Sequence, residues 1–242
     1  MILHVLPGDA QVPAFNESGI EGEMLVCREA LVEGDISRDS LDEFFINRAA
    51  FINSVYDEDP SNYNARVASQ FRRLLEIHTG DEANLWFEYE LFCAVNMWFC
   101  LDLLNRTKSD VYRVAPVYLD EENRWDGFGG ANGDRVRQCF EGRIKLSSDD
   151  IQLGSELWHA FRIKDTEELI RLSSTSTNAF PYLIEVGKAA AEIDSSPAAI
   201  IAEIQLEGIN NFNEIFLEFR RRAGVYGYGD SQVKHLMEKQ IV

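Results

Sequence analysis

Glu88 and Glu90 stand one residue apart inside LWFEYELFC, residues 85–93, between two runs of large apolar side chains. Carboxylates so placed can hold a divalent cation through oxygen ligands. Such a cation can orient a phosphate or activate water. Alternatively, one carboxyl can have its pKa raised and act as a general acid. Asp9 follows the apolar run ILHVL, and Glu29 follows EMLVC next to Arg28. If these runs are neighbouring parallel strands, Asp9, Glu29, Glu88 and Glu90 all emerge at one carboxyl edge. That is where open α/β sheets bind ligands. These four are the candidate catalytic residues, and Mg²⁺ is the hard cation that would offset their mutual repulsion. The competing reading is structural. Asp9 can cap a helix after Gly8, Glu88 or Glu90 can sit in the first turn of the next helix, and Arg28 can pair with a nearby carboxylate.

Other chemistry has weaker support. The histidines at 4, 78, 159 and 235 lack metal-site spacing. His4, inside an apolar run, reads as a packed core residue, although a pair with Cys27 on a neighbouring strand stays open. No G-x-S-x-G nucleophile motif occurs. Cysteines 27, 93, 100 and 139 form no CxxC pair. Cys93 and Cys100, seven apart, share a helix face and read as packed reduced thiols, which suits a cytoplasmic protein. GFGGANGD, 127–134, lacks the Lys-Ser/Thr ending of a phosphate-binding loop and reads as a flexible connection. Arg220-Arg221-Arg222 follows two helical segments that meet at EGINN, 207–211. A basic helix-turn-helix or a solvated helix end would both fit.

The elements that must position these residues follow from periodicity. Residues 2–6, 24–27, 83–87 and 111–117 read as buried strands. Helical patterns begin at the capping box Ser40–Glu43 and at Asp59-Pro60, the latter ending at Gly80. Residues 89–105 form another helix. The alternation implies a Rossmann-like α/β unit with a parallel sheet of about four strands over residues 1–120. A Gly-rich connection over 121–133 and a helical domain over 134–242 follow. The helical patterns there are 134–143, 149–163, 166–174, 181–193, 197–207, 211–223 and 230–240.

The bulk numbers narrow the partners. A net charge of −18 repels nucleic-acid phosphates and anionic membranes. The longest apolar run, 91–104, is too short to span a bilayer and contains Asn96 and Asp102. MILHVLPGD carries no basic n-region, so no signal peptide is expected.

Taken together, HVLPGD, CREALVEGD, LWFEYELFC and YGYGDSQV resemble the DUF1835 domain proteins, from one end of the chain to the other. LWFEYELFC is the most specific piece. The resemblance implies importance for Gly8, Asp9, Arg28, Glu29, Gly34, Glu88, Gly229 and Asp230. With it, the expected ligand contacts are Gly8, Asp9, Arg28, Glu29, Glu88 and Asp230. Tyr89 and Glu90 stand where the pattern has histidine and aspartate, Asp35 where it has proline, and Ala94 where it has glutamine. The resemblance implies no particular activity, substrate or cofactor. The expected function is binding or hydrolysis of a small phosphorylated or nucleotide-like ligand at the sheet's carboxyl edge. A non-catalytic module whose helical half binds a protein partner is the alternative, with DNA binding by the C-terminal helices a third.

Overall fold

The computed structural model describes residues 1–38 and 40–239. Four apolar runs become parallel strands: β1 (Ile2–Leu6), β2 (Glu23–Val26), β3 (Glu82–Trp86) and β4 (Asp110–Val114). A fifth, β5 (Ile144–Lys145), pairs antiparallel with β4. The sheet order is β2-β1-β3-β4-β5. The predicted α/β class holds, with one strand more than the sequence showed. β5 is two exposed residues long, too short to leave an alternating pattern.

Helices α1 (Val12–Ser18), α2 (Leu41–Tyr56), α3 (Pro60–Tyr63), α4 (Ser69–Arg73) and α5 (Leu91–Leu104) belong to the strand-bearing half. Ser40 caps α2 by accepting the Glu43 amide, and Asp59 caps α3 by accepting that of Ser61. From α3 the chain continues through a π-turn at Asn64–Ala68 into α4 and a 3₁₀ turn at Leu74–Glu76. The helical stretch therefore ends before Gly80, whose positive φ of 92° serves the turn into β3. Beyond β4 come α6 (Gly133–Glu141), α7 (Ser148–Arg162), α8 (Thr166–Ser173) and α9 (Leu183–Ala191). The last three are α10 (Ser196–Leu206), α11 (Phe212–Ala223) and α12 (Asp230–Lys239). Residue 240, the end of the last predicted helix, lies outside the described residues. No helix among the described residues is long and apolar enough to cross a membrane.

The alternation of strand side chains builds two cores. Leu3, Val5, Ala83 and Leu85 face a large one that includes α2, α5 and α7 and continues to Val233 of α12. Leu6, Trp86 and Val114 face a smaller one under α1 and α6. Helix α5 is sandwiched by sheet and outer helices, and its polar residues reach partners on both sides, although Asn96 Oδ1 is left without one. Asn96 donates to the Glu29 carbonyl at 2.9 Å, and Asp102 accepts from Ser155 at 2.7 Å.

Candidate functional site

The strand order reverses direction between β1 and β3. The crossover from β1 leads one way to β2, and the next returns past β1 to β3. Such a switch point splays the connections apart and leaves a crevice at the carboxyl edge. A cleft of about 440 Å³ lies there. Pro7, Gly8 and Gln11 after β1 line one side, and Glu88, Glu90 and Cys93 after β3 line the other. Gly129 and Gly227 reach over it from the second half of the chain.

Glu90 caps α5. It takes extended backbone angles, and its Oε1 accepts the Cys93 amide at 3.1 Å. Its other oxygen, Oε2, is buried without a hydrogen-bond partner. Burial, and then the charge of Glu88, raises the Glu90 carboxyl to about 8. Glu88 accepts the Phe128 amide at 2.5 Å and faces the Cys93 thiol at 3.7 Å. Burial raises its pKa too. The thiol is pushed up by burial and then by Glu90. One ligand atom from each of Glu88, Glu90 and Cys93 falls within 4.8 Å of the others. Gln11 is 6% exposed, and neither atom of its side-chain amide has a partner.

Two glycines make the enclosure possible. Gly127 and Gly227 have φ of 70° and 67°, and a Cβ on either would fall on the Glu88 or Glu90 side chain respectively. Gly227→Ala is therefore expected to combine backbone strain with displacement of Glu90, costing about 2 kcal/mol in a urea melt. Gly208→Ala is the control, since it shares a positive φ of 90° and meets nothing within 4 Å. Equal losses in the two variants would mean that Glu90 is not crowded.

The structure brings Glu88 and Glu90 together with Gly8 but sorts Asp9, Arg28, Glu29 and Asp230 elsewhere. Asp9 is exposed and held by Arg28 through two 2.7 Å hydrogen bonds, which lower its pKa. Glu29 is buried against Arg48 at 2.6 Å, with Tyr63 donating to it at 2.5 Å. Asp230 is exposed and paired with Lys234 at 2.9 Å. The four-carboxylate cluster expected for Mg²⁺ thus reduces to two carboxylates and a thiol. Arg28 and Arg66 instead line an adjoining cleft of about 400 Å³ that shares Pro7, Gly8 and Phe92 with the first. Among the described residues, Arg66 makes two long ion pairs, 4.0 Å to Asp9 and 3.8 Å to Glu58.

The remaining candidates resolve on structural grounds. His4 Nε2 donates to the Glu21 carbonyl at 3.1 Å and Nδ1 accepts from Trp86 at 3.2 Å. Both nitrogens are used by a neutral core histidine, and burial lowers its pKa, so no pair with Cys27 forms. Arg220 pairs with Asp126, Arg221 with Glu218, and Arg222 with Glu207 and Glu218. A basic face for DNA is therefore neutralised by its own carboxylates. The Gly-rich stretch places an amide, that of Phe128, on Glu88. Gln11, Cys93, Phe128 and Gly227 had no signal as site residues: a glutamine in a short helical turn and a cysteine on an apolar helix read as ordinary packing. No family model, curated protein or solved structure matches the chain.

Proposed function

We propose that the chain binds and hydrolyses a small phosphorylated or nucleotide-like ligand that lies across the β1–β3 switch point. Arg28 and Arg66 take the anionic end. Glu88 and Glu90 form the reacting end, where a divalent cation would polarise the phosphate and activate water. The observation that carries this reading is the pairing of clefts. Arg28 and Arg66, set among Asp9, Glu29 and Glu58, and the half-buried Glu88 with the buried Glu90 sit either side of Gly8, at the edge where this topology opens. The unpartnered Gln11 amide supports it further, because a buried amide without hydrogen bonds costs free energy that a ligand can restore. The reading also places the chain with the DUF1835 domain proteins that it resembles. The position of LWFEYELFC at the junction of β3 and α5, with Gly8 across the cleft, supports that membership.

A thermal-shift panel of nucleotides and sugar phosphates, each with a divalent cation, tests the proposal. At 100 times its Kd, a true ligand adds about 2.7 kcal/mol of stability. Arg28→Ala is expected to weaken it at least about tenfold, through loss of a charge-assisted bidentate contact. Glu88→Gln is expected to retain binding and lose phosphate release. A panel without any shift, or one in which Arg28→Ala changes nothing, would remove the proposal.

A further inference from the structure

Resting on that reading of the cleft, we infer that Glu88, Glu90 and Cys93 form a metal centre for a borderline-soft divalent ion of the Zn²⁺ class, in place of Mg²⁺. The three donors come from one short stretch, E-x-E-x-x-C, wrapped around the start of α5. Their spacing is therefore set locally, by the turn from β3 and the Glu90 cap. The ligand atoms already lie within 4.8 Å of one another, and modest side-chain rotations would bring them to tetrahedral separations. Hard Mg²⁺ demands six oxygens in a near-regular octahedron, and this cluster offers two carboxylates and a sulfur.

Two independent features point to an occupant. Glu90 Oε2 is buried and unpartnered, although Glu90 itself is only 4% exposed. Gln11, from a different strand–helix junction, lines the same cleft with both amide atoms unpartnered. Its amide can hydrogen-bond a water or ligand atom bound in that cleft. The electrostatics also agree. A dication with two carboxylates and a thiolate carries a net charge of −1, which the amino end of α5 favours. On binding, the thiol proton and any carboxyl proton leave to solvent, and no redox change occurs.

The test uses the full chain, stripped with chelator and titrated with Co²⁺ as a spectroscopic stand-in for Zn²⁺. The expected result is one equivalent bound, with a sulfur-to-cobalt charge-transfer band in the near ultraviolet. Cys93→Ser abolishes the band, while Cys139→Ser, a buried thiol in the smaller core, leaves it intact. Glu88→Gln weakens binding by at least about 100-fold. Zn²⁺ displaces the cobalt and millimolar Mg²⁺ does not. X-ray absorption of the Zn²⁺-loaded wild type adds a readout that needs no variant, one sulfur at about 2.3 Å. No band, a band that survives Cys93→Ser, an all-oxygen shell, or displacement by Mg²⁺ would each overturn the inference. Loss of the metal result with an Arg28-dependent ligand shift intact would leave the proposed ligand site standing. The converse would leave the metal centre without it.

Discussion

Replacing Arg48 with alanine is expected to cost about 3–5 kcal/mol of folding stability, read as a lower urea midpoint at unchanged slope. Arg48 is 0% exposed and gives two hydrogen bonds to Glu29, at 2.6 and 3.1 Å. It also donates to the carbonyls of Glu33 and Ala30. Without it, the Glu29 carboxylate keeps the Tyr63 hydroxyl and the Ala30 amide but no compensating charge. Two neutral donors do not offset a buried carboxylate. Glu29→Leu combined with Arg48→Met should be less costly than Arg48→Ala alone, since both charges then leave together. A double variant as unstable as the sum of the singles would show that the pair is not coupled. The same pair explains Gly34. With φ at 79°, it passes so close to Arg48 and Phe51 that a Cβ would collide with both. Arg28, Glu29 and Gly34 were read from one motif. Arg28 lines the cleft beside Gly8 with a partly exposed side chain, while Gly34 and the buried Glu29 build the clamp that fixes the strand end behind it.

The sequence exposed the scaffold because its signals are local. Each parallel strand is an apolar run stopped by glycine, proline or a charge, and the caps at Ser40 and Asp59 are read from neighbouring residues. Placing Asp9, Glu29, Glu88 and Glu90 on one edge required only parallel strands, and the register bears that out, pairing Val5 with Leu85 and Leu6 with Val26. Sorting them required partners that local pattern cannot supply. Glu29 is claimed by an arginine 19 residues away on α2, in a separate element. Glu88 is enclosed by an amide 40 residues away in a loop that read as a linker. What remains as a site is therefore defined by exclusion: the two carboxylates that no arginine reaches with a hydrogen bond.

That exclusion has a measurable consequence in the metal-free protein. Glu90→Gln is expected to stabilise it by an amount that grows with pH, on the order of 4 kcal/mol by pH 9. In the fold the Glu90 carboxyl titrates at about 8, against an ordinary value of 4.5 in the unfolded chain. Between those values the folded state holds a proton that the unfolded state has released. Stability must therefore fall as pH rises through that window, and the loss is complete above the folded value. Glutamine keeps a carbonyl oxygen that can accept the Cys93 amide, so the cap on α5 survives. It carries no charge to oppose Glu88, so the Glu90 part of the slope disappears and only the part due to the burial of Glu88 remains. Urea melts of both proteins at pH 5, 7 and 9 provide the test. They should lie close together at pH 5, diverge steadily between pH 5 and 8, and run level above that. Parallel pH curves would mean that Glu90 is solvated in the native state. The same experiment with Zn²⁺ present separates the contributions. A cation that neutralises the pair removes the alkaline penalty from the wild type, and Glu90→Gln, having lost a ligand, then becomes the less stable protein.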